Sequence, residues 1–213
     1  MRDTGFLVVL SGFAGSGKGT IMKELLSRYP EEYALSVSAT TRAPRPGEQE
    51  GREYFFKTKE EFERMIAGGE LLEYACYVGN YYGTPRAYVE EQLAGSRSVI
   101  LEIEIQGALQ IREKFPETVL LFVTPPSAGV LRDRLVGRGT ETPEVVHSRL
   151  SRAVEEADGC EAYDYLIIND DLDVCVEEVH HIIRSERSRM RHRLREIETI
   201  KNDLKEYVKG EQI

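Results

Sequence analysis

No cysteine pair, no histidine cluster and no long apolar run occurs in this 213-residue chain, and each absence removes a class of protein. The three cysteines, Cys76, Cys160 and Cys175, are odd in number, widely spaced and never arranged as C-x-x-C. That excludes a disulfide framework and fits reduced thiols in a cytoplasmic protein. The four histidines (His147, His180, His181, His192) have no cysteine pair beside them, and the His180–His181 doublet has no further ligand at helical spacing. A zinc centre is therefore not expected. The run Phe6–Leu10 is too short to span a membrane and leads into glycines rather than a cleavage site, so it reads as a strand. Positive charge is also in deficit. The net charge of −9 excludes bulk attraction to nucleic acid or anionic lipid, so any basic site must be local.

What is present is an alternation of strand-length apolar runs with helix-period segments, the pattern of an α/β domain. Strands are expected at Phe6–Ser11, Tyr33–Ser38, Tyr54–Phe56, Val99–Ile105, Val119–Val123 and Tyr165–Asn169, with a hairpin Leu71–Val78/Tyr81–Tyr82 turning at Gly79–Asn80. Helices are expected at Thr20–Arg28, after Thr58 with Glu61 closing a capping box, from Thr84–Pro85, after Gly107 to Lys114, after Ser127, and from Thr142–Pro143. The long strands suggest a parallel core sheet formed by residues 1–32, 89–136 and 159–185. Residues 33–88 break the rhythm with short strands and read as an inserted lobe; residues 137–158 read as a lid. From Asp173 onward the chain reads as one long helix, with 186–213 as its tail. Arg184, Arg187, Arg189, Arg191, Arg193 and Arg195 crowd its middle, and Met190, Leu194, Ile197, Leu204 and Val208 recur at spacings of four and three. Three readings stand for the tail: a solvated helix packed on the domain, a homodimer contact, or a site for an acidic partner.

Gly12-Phe13-Ala14-Gly15-Ser16-Gly17-Lys18 fits G-x-x-x-x-G-K between the first strand and the first helix. Glycines let the backbone curl so that successive N–H groups point at phosphate oxygens, and the helix start adds its own unpaired N–H groups and dipole. Lys18 supplies a mobile positive charge for a nucleotide's β- and γ-phosphates. The next position holds Gly19, followed by Thr20, where a hydroxyl usually meets magnesium. No direct protein ligand to magnesium is expected beyond Thr20, and the ion would be held mainly by phosphates and water. A second anion-binding pattern is the loop Ser36–Glu48, where Ser36, Ser38, Thr40, Thr41, Arg42 and Arg45 gather around prolines. Read alone it is either a phosphate site or an ordinary polar loop.

The run from Ser36 through Gly51 to Tyr54, then Glu73 and Tyr81-Tyr82-Gly83-Thr84, is similar to the acceptor lobe of guanylate kinases. The similarity continues through Leu101–Gly107, Arg134–Gly139, Arg149-Leu150 and Asn169–Leu172, and covers about residues 5 to 185. It implies an α/β P-loop kinase with a GMP-binding lobe and a lid, transferring the γ-phosphoryl group of ATP to GMP with Mg2+. Ser38, Arg42, Arg45, Glu48, Tyr54 and Tyr82 match positions that hold the GMP phosphate, and Glu73, Thr84 and Glu104 those that read guanine. Arg134, Arg138 and Arg149 match the arginines that close over the transferring phosphates, and Asn169 lies on the adenine side. Glu102 and Glu104 stand where many members carry Asp, and Phe13-Ala14 replaces a frequent Pro-Ser.

The chemistry agrees with that resemblance. A phosphate acceptor is already ionised and needs no general base. The obstacle is repulsion between two polyanions, and the remedy is local cationic charge and in-line positioning.

Overall fold

The structure, a computed structural model, describes residues 5–77, 79–137 and 143–208. The expectations placed on Val78, Arg138 and Thr142 fall outside the described residues. Strand β1 (Leu7–Gly12) is buried at all six positions, as a strand covered on both faces must be. Its alternate residues serve two cores. Val8 and Leu10 pack with Ile21, Met22 and Leu25 of α1 (Lys18–Arg28) and with Val176, Val179 and Ile183 of α7 (Leu172–Arg187). Leu7 and Val9 pack with Val89 of α3 (Arg86–Ala94) and Ala108 and Ile111 of α4 (Ile105–Lys114).

The central sheet is parallel throughout, in the order β2 (Tyr33–Leu35), β7 (Ser98–Glu102), β1, β8 (Val119–Thr124), β9 (Tyr165–Ile168). The chain leaves β1 toward one edge and later returns to its other side. The crevice at the carboxyl end of β1 is therefore a topological switch point, where α/β sheets bind ligands. A second sheet, β4 (Tyr54–Phe56), β3 (Ser38–Thr40), β6 (Asn80–Pro85), β5 (Leu71–Tyr77), forms one wall of that crevice. Its own small core is Phe62 of α2 (Lys59–Ala67) with Ala39 and Leu71. The expected capping box on α2 is present, Thr58 Oγ1 accepting from the Glu61 amide while the Glu61 carboxylate accepts from the Thr58 amide. Helices α5 (Ala128–Val136) and α6 (Pro143–Ala157) meet through Leu131, Leu135 and Val146, with Phe13 of the phosphate loop against them.

Four expectations are corrected. Tyr33–Ser38 is not one strand. The chain changes sheet at Ser36–Val37, so Tyr33–Leu35 belongs to the central sheet rather than to the lobe expected from residue 33. The strand expected to run to Ile105 stops at Glu102. Glu104 then serves as the extended residue before α4, and Gly107 lies within that helix rather than ahead of it. The helix expected from Thr84–Pro85 starts at Arg86, because Thr84 and Pro85 are still in β6.

The tail is not one helix either. It breaks after Arg187, passes through a 3-10 turn at Met190–His192, and restarts as α8 (Leu194–Val208). Long-range partners cause the break. Buried Glu186 accepts from Tyr165 Oη (2.6 Å), Arg189 Nη1 (3.0 Å) and Arg191 Nη2 (2.7 Å). Burial works against the Glu186 charge, yet the Tyr165 and Arg189 hydrogen bonds hold its carboxyl below the usual range. His192 stacks on Phe6 at 4.5 Å, and Arg187 donates to Ser98 Oγ at 2.9 Å. Several of the crowded arginines thus pin the tail to the body.

Candidate active site

A cavity of about 400 Å3 opens at the carboxyl end of β1, between the two sheets. Its floor is the phosphate loop. Gly12 has φ of +151°, and a Cβ there would lie 2.1 Å from the Val123 carbonyl, so only glycine fits. Gly17, at φ +97°, caps α1 in the left-handed region and leaves room for Asn169, whose Nδ2 would lie 2.3 Å from a Cβ. Lys18 Nζ donates to the carbonyls of Gly12 (2.7 Å) and Phe13 (3.3 Å), which folds its cation back over the loop. Ala14, Gly15 and Lys18 line the cavity.

On the opposite wall the loop after β3 carries the arginines. Arg42 Nη2 donates to both carboxylate oxygens of Glu48, each at 2.9 Å, and the Arg45 amide donates to Glu48 Oε2 at 2.7 Å. Glu48 therefore organises the loop. Its carboxyl is held below the usual range, first by the Arg45 amide and then by Arg42. Arg42 also lies 5.3 Å from the Tyr54 ring centre, and Tyr54 meets Tyr82 edge-on at 6.0 Å. Ser38, Arg42, Arg45, Tyr54 and Tyr82 all line the cavity, whereas Glu48 stands behind them.

The third wall is acidic. Glu73 on β5 is 3% exposed and lines the cavity. Burial raises its carboxyl to about 6, against the Thr84 hydrogen bonds and Lys114. Thr84 Oγ1 donates to Glu73 Oε1 at 2.7 Å, so Thr84 acts on the cavity through Glu73. Gly107 is the enabling neighbour, since a Cβ there would lie 2.6 Å from Glu73 Oε2. Glu104 lines the cavity too, and Arg152 on α6 stands 4.0 Å from it. Glu102 ends β7 beside Leu10 and lines the same wall, its carboxyl raised by burial and lowered in part by Lys18. Sequence reasoning passed over Glu102 as a site residue. The available signal was an acidic residue closing an otherwise apolar strand.

Two arginines approach from the lid side. Arg149 on α6 lines the cavity. Arg134 on α5 does not. Its guanidinium donates to the Ser16 carbonyl (3.2 Å) and the Asn169 carbonyl (2.9 Å), while Asn169 Nδ2 donates to the same Ser16 oxygen at 2.8 Å. Arg134 and Asn169 thus brace the back of the phosphate loop. Thr20 is exposed in the first turn of α1. Among the described residues no three His, Cys, Asp or Glu side chains are grouped to hold a metal, and no helix is long and apolar enough to cross a membrane.

A cavity with a phosphate loop at one end, arginines along one wall and a buried carboxylate along another can hold two anions and discriminate a hydrogen-bonding ring. Comparison with known proteins gives this arrangement a context. The family model for guanylate kinase matches residues 5–186. Guanylate kinases from Streptococcus thermophilus and Streptococcus mutans are each 50% identical to the chain over 190 residues, covering 89% of it and 91% and 90% of themselves. The crystal structure of guanylate kinase from Anaplasma phagocytophilum superposes with a TM-score of 0.72 at 36% identity, covering 89% of each chain.

Proposed function

Since the chain belongs to the guanylate kinase family, and so phosphorylates GMP to GDP at the expense of ATP, we propose that the cavity at the end of β1 is where its two substrates meet. The phosphate loop, Gly12 to Thr20, takes the ATP phosphates on its backbone N–H groups, and Lys18 swings from the loop carbonyls onto the β- and γ-phosphates. Arg42 and Arg45, with Ser38, Tyr54 and Tyr82, hold the acceptor phosphate. Glu48 keeps the Arg42 fork in one orientation, which suits a bidentate contact. Glu73, placed by Thr84, accepts from the ring N–H and amine of guanine, with Glu104 as a second acceptor.

Transfer then needs only alignment and charge. Arg149 faces the acceptor side, and Arg134 reaches the transferring group by leaving the Ser16 and Asn169 carbonyls as α5 and α6 close. Arg138 belongs to the same set by its place in the sequence. An arginine that meets charge only in the transition state is worth about 10³–10⁵ in rate in related systems. Closure also keeps water from the γ-phosphate.

Magnesium fits this donor set in one way. With no cluster of protein ligands among the described residues, the ion would be held mainly by the phosphates and water, with the Glu102 carboxylate and the Thr20 hydroxyl as the protein groups that could assist. When bound it would supply positive charge against the β- and γ-phosphate oxygens. The acceptor is the free nucleotide rather than nucleic acid, and the enzyme works in the cytoplasm without a membrane.

The observation that carries this reading is the buried, threonine-bonded carboxylate of Glu73 facing an arginine wall across one cavity. Steady-state kinetics test the division of labour. Arg42→Ala should raise KM for GMP at least about tenfold with little change in KM for ATP, and Lys18→Met should lower kcat by about 10² or more in a folded protein. Effects spread equally over both substrates would overturn the assignment.

A further inference from the structure

Helix α8 ends the described chain, and no residue in it is buried. Yet Leu194, Ile197, Ile200, Leu204, Tyr207 and Val208 are all apolar or aromatic and all between 47% and 87% exposed. At about 100° per residue they fill one arc of about 140°, interrupted only by Lys201. A solvated helix has no use for such a stripe. The stripe is not a loose end of the chain, since the Glu186 cluster and the Phe6–His192 stack hold the turn just before it.

Charge decides the partner. Glu196 and Asp203 border one edge of the stripe; Lys201, inside its other margin, and Lys205 mark the opposite edge, with Glu198 just beyond them, so that edge is net positive and the first net negative. When two copies of a helix pair in parallel, opposite edges meet, so acids face lysines on both sides of the seam. In an antiparallel pair, like edges meet, and acids face acids. We propose that α8 joins two copies of this chain in parallel, with Ile197, Ile200, Leu204 and Tyr207 as the seam and the Glu196/Asp203 edge of each copy against the Lys201/Lys205 edge of the other.

Lys201 pairs with Glu198 at 3.2 Å on the exposed face, a contact that contributes little and yields readily to a partner, and half-buried Glu196 pairs with Arg193, just ahead of the helix, at 3.7 Å. The helix is about 22 Å long, short for a coiled coil. Because it is presented preformed on a folded body, association has less chain to order than it would for a free peptide. The inference stands apart from the reading of the nucleotide cavity, and kinase activity serves as the control for folding.

The experiment is sedimentation equilibrium on the full chain, with helicity checked by circular dichroism. Wild type is expected at twice the chain mass in the micromolar range, and Ile200→Glu with Leu204→Glu at the single-chain mass with kinase turnover retained. Reversing one edge (E196K with D203K) or the other (K201E with K205E) should raise the dimer dissociation constant at least about tenfold, since each charge acts twice in a symmetric dimer. Mixing the two reversed proteins should restore pairing. A wild type that stays single at about 100 micromolar overturns the proposal. So does a dimer indifferent to the stripe substitutions or to both reversals.

Discussion

Replacing Glu73 with Gln perturbs one oxygen in a site where little else can adjust. The carboxylate is 3% exposed, its Oε1 accepts from Thr84 Oγ1 at 2.7 Å, and its Oε2 lies where a Cβ on residue 107 would come within 2.6 Å. Gln can keep the Thr84 bond through its amide oxygen. Its NH2 group then occupies the Oε2 position and faces a guanine donor. The variant loses a charge-assisted hydrogen bond, about 1.5–3 kcal/mol, and gains an unsatisfied donor pair of about 1–3 kcal/mol. Partial relaxation leaves a net loss of about 2–4 kcal/mol, roughly 30- to 1000-fold in kcat/KM for GMP. Adenine presents a ring acceptor at the same place, so the amide donor costs AMP nothing and can help it. The ratio of kcat/KM for GMP over AMP should therefore fall at least about 30-fold, within the discrimination that hydrogen-bonding sites reach without editing. The assay is ADP release with each acceptor in wild type and variant at one pH. A ratio that moves less than about threefold would refute Glu73 as the reader of the base.

Gly107→Ala should raise KM for GMP by about tenfold or more by displacing the Glu73 carboxylate, while global stability shifts by only about 1 kcal/mol, because alanine favours the helix that the crowding disfavours; urea denaturation and GMP saturation curves read the two effects separately. The pH profile follows from the raised Glu73 carboxyl. Guanine recognition needs the ionised form, so kcat/KM for GMP should fall as pH drops through about 6, and Glu73→Gln should lose that limb and keep only the one due to the acceptor's own phosphate. Glu186→Gln weakens the bonds from Arg189 and Arg191 at the helix break and should cost about 1–3 kcal/mol in chemical denaturation, with kcat unchanged.

Much of the catalytic end was legible because local spacing encodes it directly. Four glycines and a lysine between a strand and a helix have few other uses, and the capping box at Thr58 and Glu61 is likewise a matter of four consecutive residues. What escaped depends on distant partners. Nothing local marks the change of sheet at Ser36–Val37, because the alternation of apolar residues runs through it and only β7 and β6 decide which side pairs with which sheet. The break after Arg187 contains neither Pro nor Gly, and its cause is a buried carboxylate and a tyrosine more than 20 residues upstream. The arginine pattern at 184–195 left open whether the tail packs on the domain or offers its charge to a partner, and several of those arginines are engaged inside the fold. The same limit applies at the site. The sequence marks Arg134 as an arginine near the lid, but its hold on the Ser16 carbonyl, shared with Asn169, appears only once residues 118 and 153 positions apart are brought together.

The central claim is that this cavity transfers a phosphoryl group specifically to a guanine nucleotide, and an acceptor panel at fixed saturating ATP tests it most directly. ADP release is measured with GMP, AMP, CMP and UMP and with no acceptor. The account predicts turnover with GMP at least about 100-fold above any other acceptor and almost none with water. Comparable rates across the four acceptors, or ADP formed as fast without one, would contradict it.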